Sequence, residues 1–586
     1  VTRKKILFFG CILFAAAAVA IILAFSPSKE NGTDRAILEN PLDACTVIIV
    51  GKDASVDGSV MTTHTCDCGQ CDWTWRHVPA ADYEPNSTRK IYHIDQFKTF
   101  PPEQGLKWEI YKNDFTGVEI PQVPHTYAYL HGAFGYMNDQ QLAMGESTIG
   151  CQNEMNNPTP SAKFDITMLT LLAMERCKTA REAVKLMGSL GEQYGYGFTD
   201  TGEMLAVADP DEVWIFEIMP VGPLWTPKSG KPGAVWCAQR VPDDHVSVCP
   251  NESRIGEIDL DNPDYFLASP NAVSYAVEKG YYDPRSGEPF NWKKAYSPTE
   301  GSATSTRGWH GRLWRFFDLV APSRQFSPDT LNMELPFSVK PDKKLSAEDV
   351  IALTRDKYHD CMFDLRYTLQ AGPFSNPNYL TRPYNFEEKH YNTKRFISDN
   401  RAEYVTVTQS RGWLPHPIGG LVWLAFGAQD TSCFMPLYAG INGIPRSFEI
   451  GDHWQFNRES ARWAFDYVDF HTNVAYSLAI EDVRKAQEKW EGASMDKLPV
   501  IDQIAGELFK KDPAQAAEFL TDYCLNNASS VVDAWWKLGD DLLVKYNKVF
   551  LYDTETREFN RIQYPDWWLK KIIEYDKLKP QEEQKK

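Results

Sequence analysis

A chain of 586 residues that is 43% apolar and 13% aromatic, with 18 tryptophans, has ample material for a packed core and is not an intrinsically disordered polymer. Its net charge of −18 argues against nucleic acid and anionic membrane as principal partners. That charge carries no information about which small substrate, if any, the chain handles.

The first element is apolar. Arg3-Lys4-Lys5 precedes an unbroken apolar run from Ile6 to Phe25, and about 20 such residues span a bilayer as one helix. The basic residues ahead of the run place the N-terminus in the cytoplasm and the bulk of the chain outside. Residues 1–25 are therefore expected to be a signal peptide or a membrane anchor. Their length, beyond the roughly 7–15 residues of an ordinary signal core, favours the anchor. Residues 26–44, with Ser26-Pro27-Ser28, Asn31-Gly32 and Asn40-Pro41, read as a linker or propeptide.

Cys45 opens a strand–turn–strand pattern. Thr46 to Val50 is β-branched throughout, Asp57-Gly58 is turn chemistry, and Ser59 to Thr63 resumes an extended pattern. Further strands are expected at Tyr127–Leu130 and Leu142–Gly145 around the Asn138-Asp139 turn. Helical spacing runs through 165–190, with a second start at Thr179, where Glu182 completes a capping box. Met204–Ala208 and Val213–Glu217, joined by Asp209-Pro210-Asp211-Glu212, form a hairpin. Residues 255–345 read as loop-rich and 346–360 as a helix starting at Ser346. Strands return at 403–408, 420–426 and 432–438, and the last hundred residues are helical by periodicity. Strands at both ends with helices between them indicate layered packing of helices on sheets.

A cut between Ala44 and Cys45 would give one residue both a thiol and a free α-amine. That amine titrates at about 7.7–8.0 and can take the thiol proton near neutrality. The densest cysteine group is Cys66, Cys68 and Cys71. Three thiols at this spacing could begin a metal site, yet no matching second cluster supplies a fourth ligand, and a disulfide within the group or to Cys151 is at least as good a reading.

Several strings taken together carry a resemblance. They are Cys45 to Met61; Leu142-Ala143-Met144-Gly145-Glu146-Ser147-Thr148-Ile149-Gly150; Arg240 to Val248 with Asn251-Glu252-Ser253-Arg254-Ile255; and Trp413-Leu414-Pro415 with Ile418-Gly419-Gly420. In this order they resemble the dipeptidase A family of cysteine-type N-terminal nucleophile (Ntn) hydrolases, related to secernins and more distantly to penicillin V acylases and bile salt hydrolases. The resemblance implies an α+β fold, a four-layer αββα sandwich over residues 45–445, with residues 446–586 a mainly helical region packed on it. It implies hydrolysis of amide bonds in short peptides, without metal or organic cofactor, after self-processing exposes the cysteine.

Carried over by position, Cys45 is the nucleophile and Asp67 the carboxylate that holds its amine. Asn251 is an oxyanion donor, Thr148 falls near a second oxyanion position, and Arg312 is a late active-site arginine. Ser147 and His64 are expected to face substrate. One departure stands out. An arginine that the family often carries ahead of the aspartate is replaced here, in His64-Thr65-Cys66-Asp67. An exported dipeptidase is the expectation; an amidase or acylase for another amide, or a non-catalytic tethered envelope protein, are the alternatives.

Overall fold

The computed structural model describes residues 45–69, 71–94, 115–157, 159–197, 202–297, 311–330, 334–379, 384–387, 389–391 and 395–580. The expected leader and linker over 1–44 lie outside them. Among the described residues, no helix is long and apolar enough to cross a membrane.

Among the described residues, fourteen strands build two antiparallel sheets. In chain order they are β1 (Val47–Val50), β2 (Val60–Thr65), β3 (Arg76–Val78), β4 (Tyr129–His131), β5 (Tyr136–Asn138), β6 (Ala143–Ile149), β7 (Gly202–Ala208), β8 (Val213–Pro220), β9 (Ala234–Val241), β10 (Val246–Cys249), β11 (Phe266–Ala268), β12 (Tyr404–Ser410), β13 (Gly420–Phe426) and β14 (Met435–Tyr438). One sheet has the order β10-β1-β2-β12-β13-β14, the other β11-β9-β8-β7-β6-β5-β4-β3. Strands β1, β2, β12 and β13 are buried along their whole length, which explains why they read as continuous β-branched and apolar runs rather than alternating ones.

The sheets meet face to face through β2 against β6 and β7, and through β1 against β6. Gly145 on β6 makes the closest approach possible: a Cβ there would stand 2.2 Å from the Thr63 carbonyl oxygen. Any side chain at 145 would force the sheets apart at the level of Cys45.

Helices pack against both sheets. α1 (Ile166–Arg176) is capped by Asp165, which accepts from the Met168 N–H, and α2 (Ala180–Tyr194) by the expected Thr179/Glu182 capping box. α2 lays Ala183, Val184, Met187 and Leu190 against β7, β8 and β9. Each such buried side chain contributes about 1.5–3 kcal/mol. On the other sheet, α3 (Gly311–Val320) packs on β10 and α4 (Ala347–Thr354) on β12. The C-terminal helices α5 (Ala461–Thr472), α6 (Tyr476–Lys511) and α7 (Pro513–Lys545) reach β13 and β14, with Trp535 wholly buried at the junction.

The structure departs from the expected elements in four places. A short strand not expected from the sequence, β5, ends at Asn138, and the 127–130 and 142–145 segments both pair with it. The loop-rich 255–345 stretch contains α3 and two shorter helices, Ala272–Glu278 and Trp292–Tyr296. α4 stops at Thr354 instead of 360, because Tyr358 and Asp360 adopt positive φ (60° and 58°), which no right-handed helix accommodates. The helical tail is interrupted by a hairpin, Phe550–Tyr552 with Phe559–Arg561, ahead of a last helix, Asp566–Asp576.

Candidate active site

The strand pairing gathers the site. Cys45 sits two residues before β1, and Asp67 two residues past the end of the antiparallel neighbour β2. The Thr46 N–H donates to Thr65 Oγ1 and the Ile48 N–H to Thr63 Oγ1, both at 2.8 Å. Thr65 Oγ1 then donates to Asp67 Oδ2 at 2.9 Å. A run of threonines on β2 thereby ties the start of β1 to the aspartate. Across the sandwich, β6 delivers Glu146, Ser147 and Thr148. The turn after β10 supplies Asn251, the first turn of α3 supplies Arg312, and the segment before β12 supplies Arg395.

Cys45 is buried, and its Sγ donates to Glu146 Oε2 at 3.3 Å. Thr148 Oγ1 donates to the other carboxylate oxygen, Oε1, at 3.1 Å. His64 Nδ1 lies 2.9 Å from the Glu146 carbonyl oxygen and 3.3 Å from its N–H. The shorter contact fits a proton on Nδ1, which leaves Nε2 a bare acceptor. Nε2 is buried and has no partner among the described residues.

Asn251 follows Pro250 and has a φ of 67°, a left-handed geometry that asparagine tolerates better than most residues. Its Nδ2 donates to the Thr148 carbonyl at 2.9 Å and, more weakly, to Ser147 Oγ at 3.3 Å. Its Oδ1 accepts from two arginines, Arg312 Nη2 at 2.9 Å and Arg395 Nη1 at 2.8 Å. This clamp fixes which way the amide points. Arg312 also donates to the Cys45 carbonyl (2.8 Å), Thr46 Oγ1 (2.7 Å) and the Pro250 carbonyl (2.7 Å). Arg395 binds Asp67 Oδ2 through Nη2 and Asp399 Oδ2 through Nε, the latter at 2.9 Å. Asp67 Oδ1 is buried with no partner among the described residues.

Burial sets the titration of this cluster. It raises the Cys45 thiol well above its usual range; Glu146, Cys66 and Asp67 push the same way and Arg395 opposes them. Burial also lifts Asp67 to about 6, against the pull of Arg395. It holds His64 down to about 4, so the imidazole is neutral. Burial, with Arg395 alongside, draws Arg312 down to about 9, still charged at neutral pH.

Every residue expected at the site is in this cluster. Cys45, Asp67, Asn251 and Arg312 form one connected network. Thr148 and Ser147 are engaged with Glu146 and Asn251, and His64 braces the backbone of β6. Two members were not anticipated. Glu146 lies inside the string Leu142–Gly150, where a carboxylate in the middle of a buried strand was itself a signal. Arg395 lies in an irregular segment and offers no pattern to read.

Of the other cysteines, Cys68 and Cys71 form a disulfide, while Cys151 is in none. The sulfurs of Cys66, Cys68 and Cys71 lie within 4.8 Å of one another, as do ligand atoms of Cys45, His64 and Glu146. Both trios carry ligand types that zinc accepts. The first is already committed in part to the disulfide, and the second is also the donor set of a thiol nucleophile and its neighbours.

A buried thiol beside carboxylates, with an amide donor held by two guanidiniums, is the equipment of a cysteine-type hydrolase. The model of peptidase family C69 matches residues 44–489, and the chain belongs to that family. It is similar to a probable dipeptidase of Latilactobacillus sakei, 24% identical over 82% of this chain and 90% of that one. It is also similar to probable dipeptidase B of Lactococcus lactis (26%, 69% and 76%) and to dipeptidase A of Lactobacillus helveticus (24%, 71% and 79%). Among solved structures it matches penicillin V acylase from Agrobacterium tumefaciens at 12% identity, over 67% of this chain and 86% of that one, with a TM-score of 0.26, too low to bear on the fold.

Proposed function

We propose that this chain is an exported dipeptidase whose nucleophile, Cys45, becomes N-terminal when the Ala44–Cys45 bond is cut. Residues 45–445 form the catalytic αββα sandwich, and residues 446–586 a helical region that buttresses it. The observation that carries the reading is the tie, through Thr65 Oγ1, between the residue after Cys45 and an Asp67 carboxyl whose Oδ1 has no partner among the described residues. A new α-ammonium at Cys45 is the group such an oxygen would hold. The membership in a peptidase family and the dipeptidase names of the relatives support the substrate class.

The chemistry is acyl transfer. The Cys45 amine takes the thiol proton, and the sulfur attacks the peptide carbonyl. The oxyanion displaces the weaker Asn251 contact, that to Ser147 Oγ, and accepts from Nδ2. The α-ammonium protonates the leaving amine, which departs and leaves a thioester. Water, deprotonated by the same amine, then releases the acid and restores the thiol.

Cys45→Ala is expected to reduce dipeptide hydrolysis by about 10⁴-fold or more, and turnover near that of the native enzyme would sink the reading. Intact mass of the mature protein is expected to show a chain beginning at Cys45. A working enzyme still joined to residue 44 would refute the amine's role.

A further inference from the structure

Acyl transfer at Cys45 makes no use of a second group of sulfurs close to it in the fold. Cys68 and Cys71 are bridged, and the Cys66 sulfur, outside any disulfide, lies within 4.8 Å of both. All three residues are buried. Asp67, whose carboxyl is held by the Thr65 hydroxyl and by Arg395, stands in the chain between Cys66 and Cys68. A thiol within reach of a disulfide is the reactant pair of thiol–disulfide exchange.

Local hydrogen bonding names the sulfur that leaves. Cys68 and Cys71 have C-x-x-C spacing, and the Cys71 N–H donates to Cys68 Sγ at 2.7 Å. That donor stabilises negative charge on Cys68 and makes it the better leaving group, so Cys71 Sγ is the atom attacked. The backbone of Cys66 is pinned at both ends. Its N–H donates to the Tyr404 carbonyl at 3.0 Å, and its carbonyl accepts from the Glu403 N–H at 2.7 Å. The sulfur of Cys66 therefore reaches Cys71 by turning its own side chain.

We propose that Cys66, Cys68 and Cys71 form a thiol–disulfide exchange site that moves the bridge from Cys68–Cys71 to Cys66–Cys71, and that the pairing decides whether Asp67 is in place for catalysis. The second half rests on the role given to Asp67 under the dipeptidase reading. In the step, Cys66 Sγ gives up its proton and attacks Cys71 Sγ. The Cys66–Cys71 bond forms as the Cys68–Cys71 bond breaks, and Cys68 leaves as a thiolate that takes up the proton. One thiol and one disulfide stand on each side, so no oxidant or reductant is consumed. In the observed pairing Asp67 lies outside the ring that the bridge closes. In the exchanged pairing it lies inside, with the side chain just before it drawn towards Cys71. The carboxyl then shifts against Arg395, and displacing a catalytic group by about 1 Å costs about 100-fold. The Cys68–Cys71 form is the active one.

The test follows the bridge by mass and the activity by kcat/KM. Cleavage on the amino side of Asp67 and Asp72 parts Cys66 from the piece that carries Cys68 and Cys71. Native protein is held at about pH 7 and about pH 8.5, quenched in acid, labelled with a maleimide and cut without reduction. With the Cys68–Cys71 bridge the pieces separate and Cys66 carries the label. With Cys66–Cys71 they stay joined and Cys68 carries it. The joined form is expected at both pH values and forms faster at the higher one, because the thiolate is the attacking species. Cys68→Ser, in which Cys66–Cys71 is the one bridge left to the trio, is expected to lose about 100-fold in kcat/KM. Removing Cys66 as well, in Cys66→Ser/Cys68→Ser, is expected to restore about tenfold or more, which a folding fault at position 68 would not allow. Native protein that yields separate pieces alone at both pH values overturns the proposal, as does native protein in which all three sulfurs take the label. A Cys68→Ser enzyme as active as native, or a double variant no better than it, overturns the link to Asp67. The mass readout needs no turnover. A native enzyme that cleaves no dipeptide therefore sinks the dipeptidase reading and the link to Asp67, while the pieces still decide the exchange.

Discussion

The Cys45 end of the sandwich and the groove beneath α6 differ in how their charges meet water. The groove is a cavity of about 910 Å³, lined by apolar residues such as Trp413, Leu414, Met495 and Leu498 and by exposed charged ones such as Asp57, Glu348, Glu507 and Lys510, and none of its lining residues belongs to the Cys45 cluster. Within it, Arg411 with Asp502 joins α6 to the turn after β12, with Tyr438 of β14 donating to the same carboxylate. The Cys45 cluster instead packs a thiol, two carboxylates, an imidazole and two guanidiniums largely out of water. Space is cheap for a fold to leave at a seam between helices and sheet. Charge held out of water is costly, and it persists where a reaction or a binding event uses it. The volume therefore marks a joint, and the charge marks the chemistry.

The sharpest way to break this contrast is Arg395→Ala. It removes the fork that orients both Asp67 and Asn251 and leaves Asp67 buried with less support. A fall of about 100-fold or more in kcat/KM is expected, the scale of a lost buried ion pair. Arg395→Lys, which keeps the charge but not the planar fork, is expected to recover only part of it. Steady-state kinetics decide this, and unchanged rates would remove Arg395 from the site.

Asp502→Ala is the matching experiment on the groove. It strands the buried Arg411 guanidinium, so the expected loss is about 3 kcal/mol of stability in denaturant unfolding, with kcat/KM within about twofold of native. A large kinetic defect instead would mean that the groove takes part in turnover.

A subtler effect belongs to His64. The folded protein holds this imidazole down to about 4 from its ordinary 6.5. The unfolded chain therefore takes up a proton first as pH falls. The contribution to stability is intact above about 6.5 and disappears progressively towards pH 4, up to about 3 kcal/mol in all. His64→Asn, which can still donate to the Glu146 carbonyl, is expected to flatten the acid side of a stability–pH curve without changing it at pH 8. An unaltered acid limb would show that other groups govern it. The smallest change is expected from Trp413→Ala, half exposed at the groove mouth, with stability within about 0.5 kcal/mol of native by thermal melting.

Much of this was legible in the sequence, for identifiable reasons. The β-branched run after Cys45 and the Asp57-Gly58 turn announced β1 and β2, because both signals are local. The Thr179/Glu182 box gave the start of α2 to the residue. The members of the cluster emerged together through ordered strings resembling a known family, not through any one motif. α3 was hidden although Leu313, Phe316, Phe317 and Val320 have helical spacing, because the proline- and glycine-rich surroundings outweighed ten residues of periodicity. β5 is three residues long and below what alternation can reveal. Arg395 was beyond reach for a physical reason: its partners at the site, Asp67 and Asn251, lie 328 and 144 residues away in the chain, and only the folded chain brings them together.

Chain ends made by scission usually fray, and a frayed end cannot aim a nucleophile. Here the first strand after Cys45 is interior to its sheet, with Val47 opposite Cys249 on one flank and Ile49 opposite Thr62 on the other. A polypeptide starting at Cys45 is gripped from its second residue onward by neighbours on either side. Its terminal nitrogen and sulfur would be among the best-anchored atoms in the molecule, with no reorganisation left to perform when a substrate arrives.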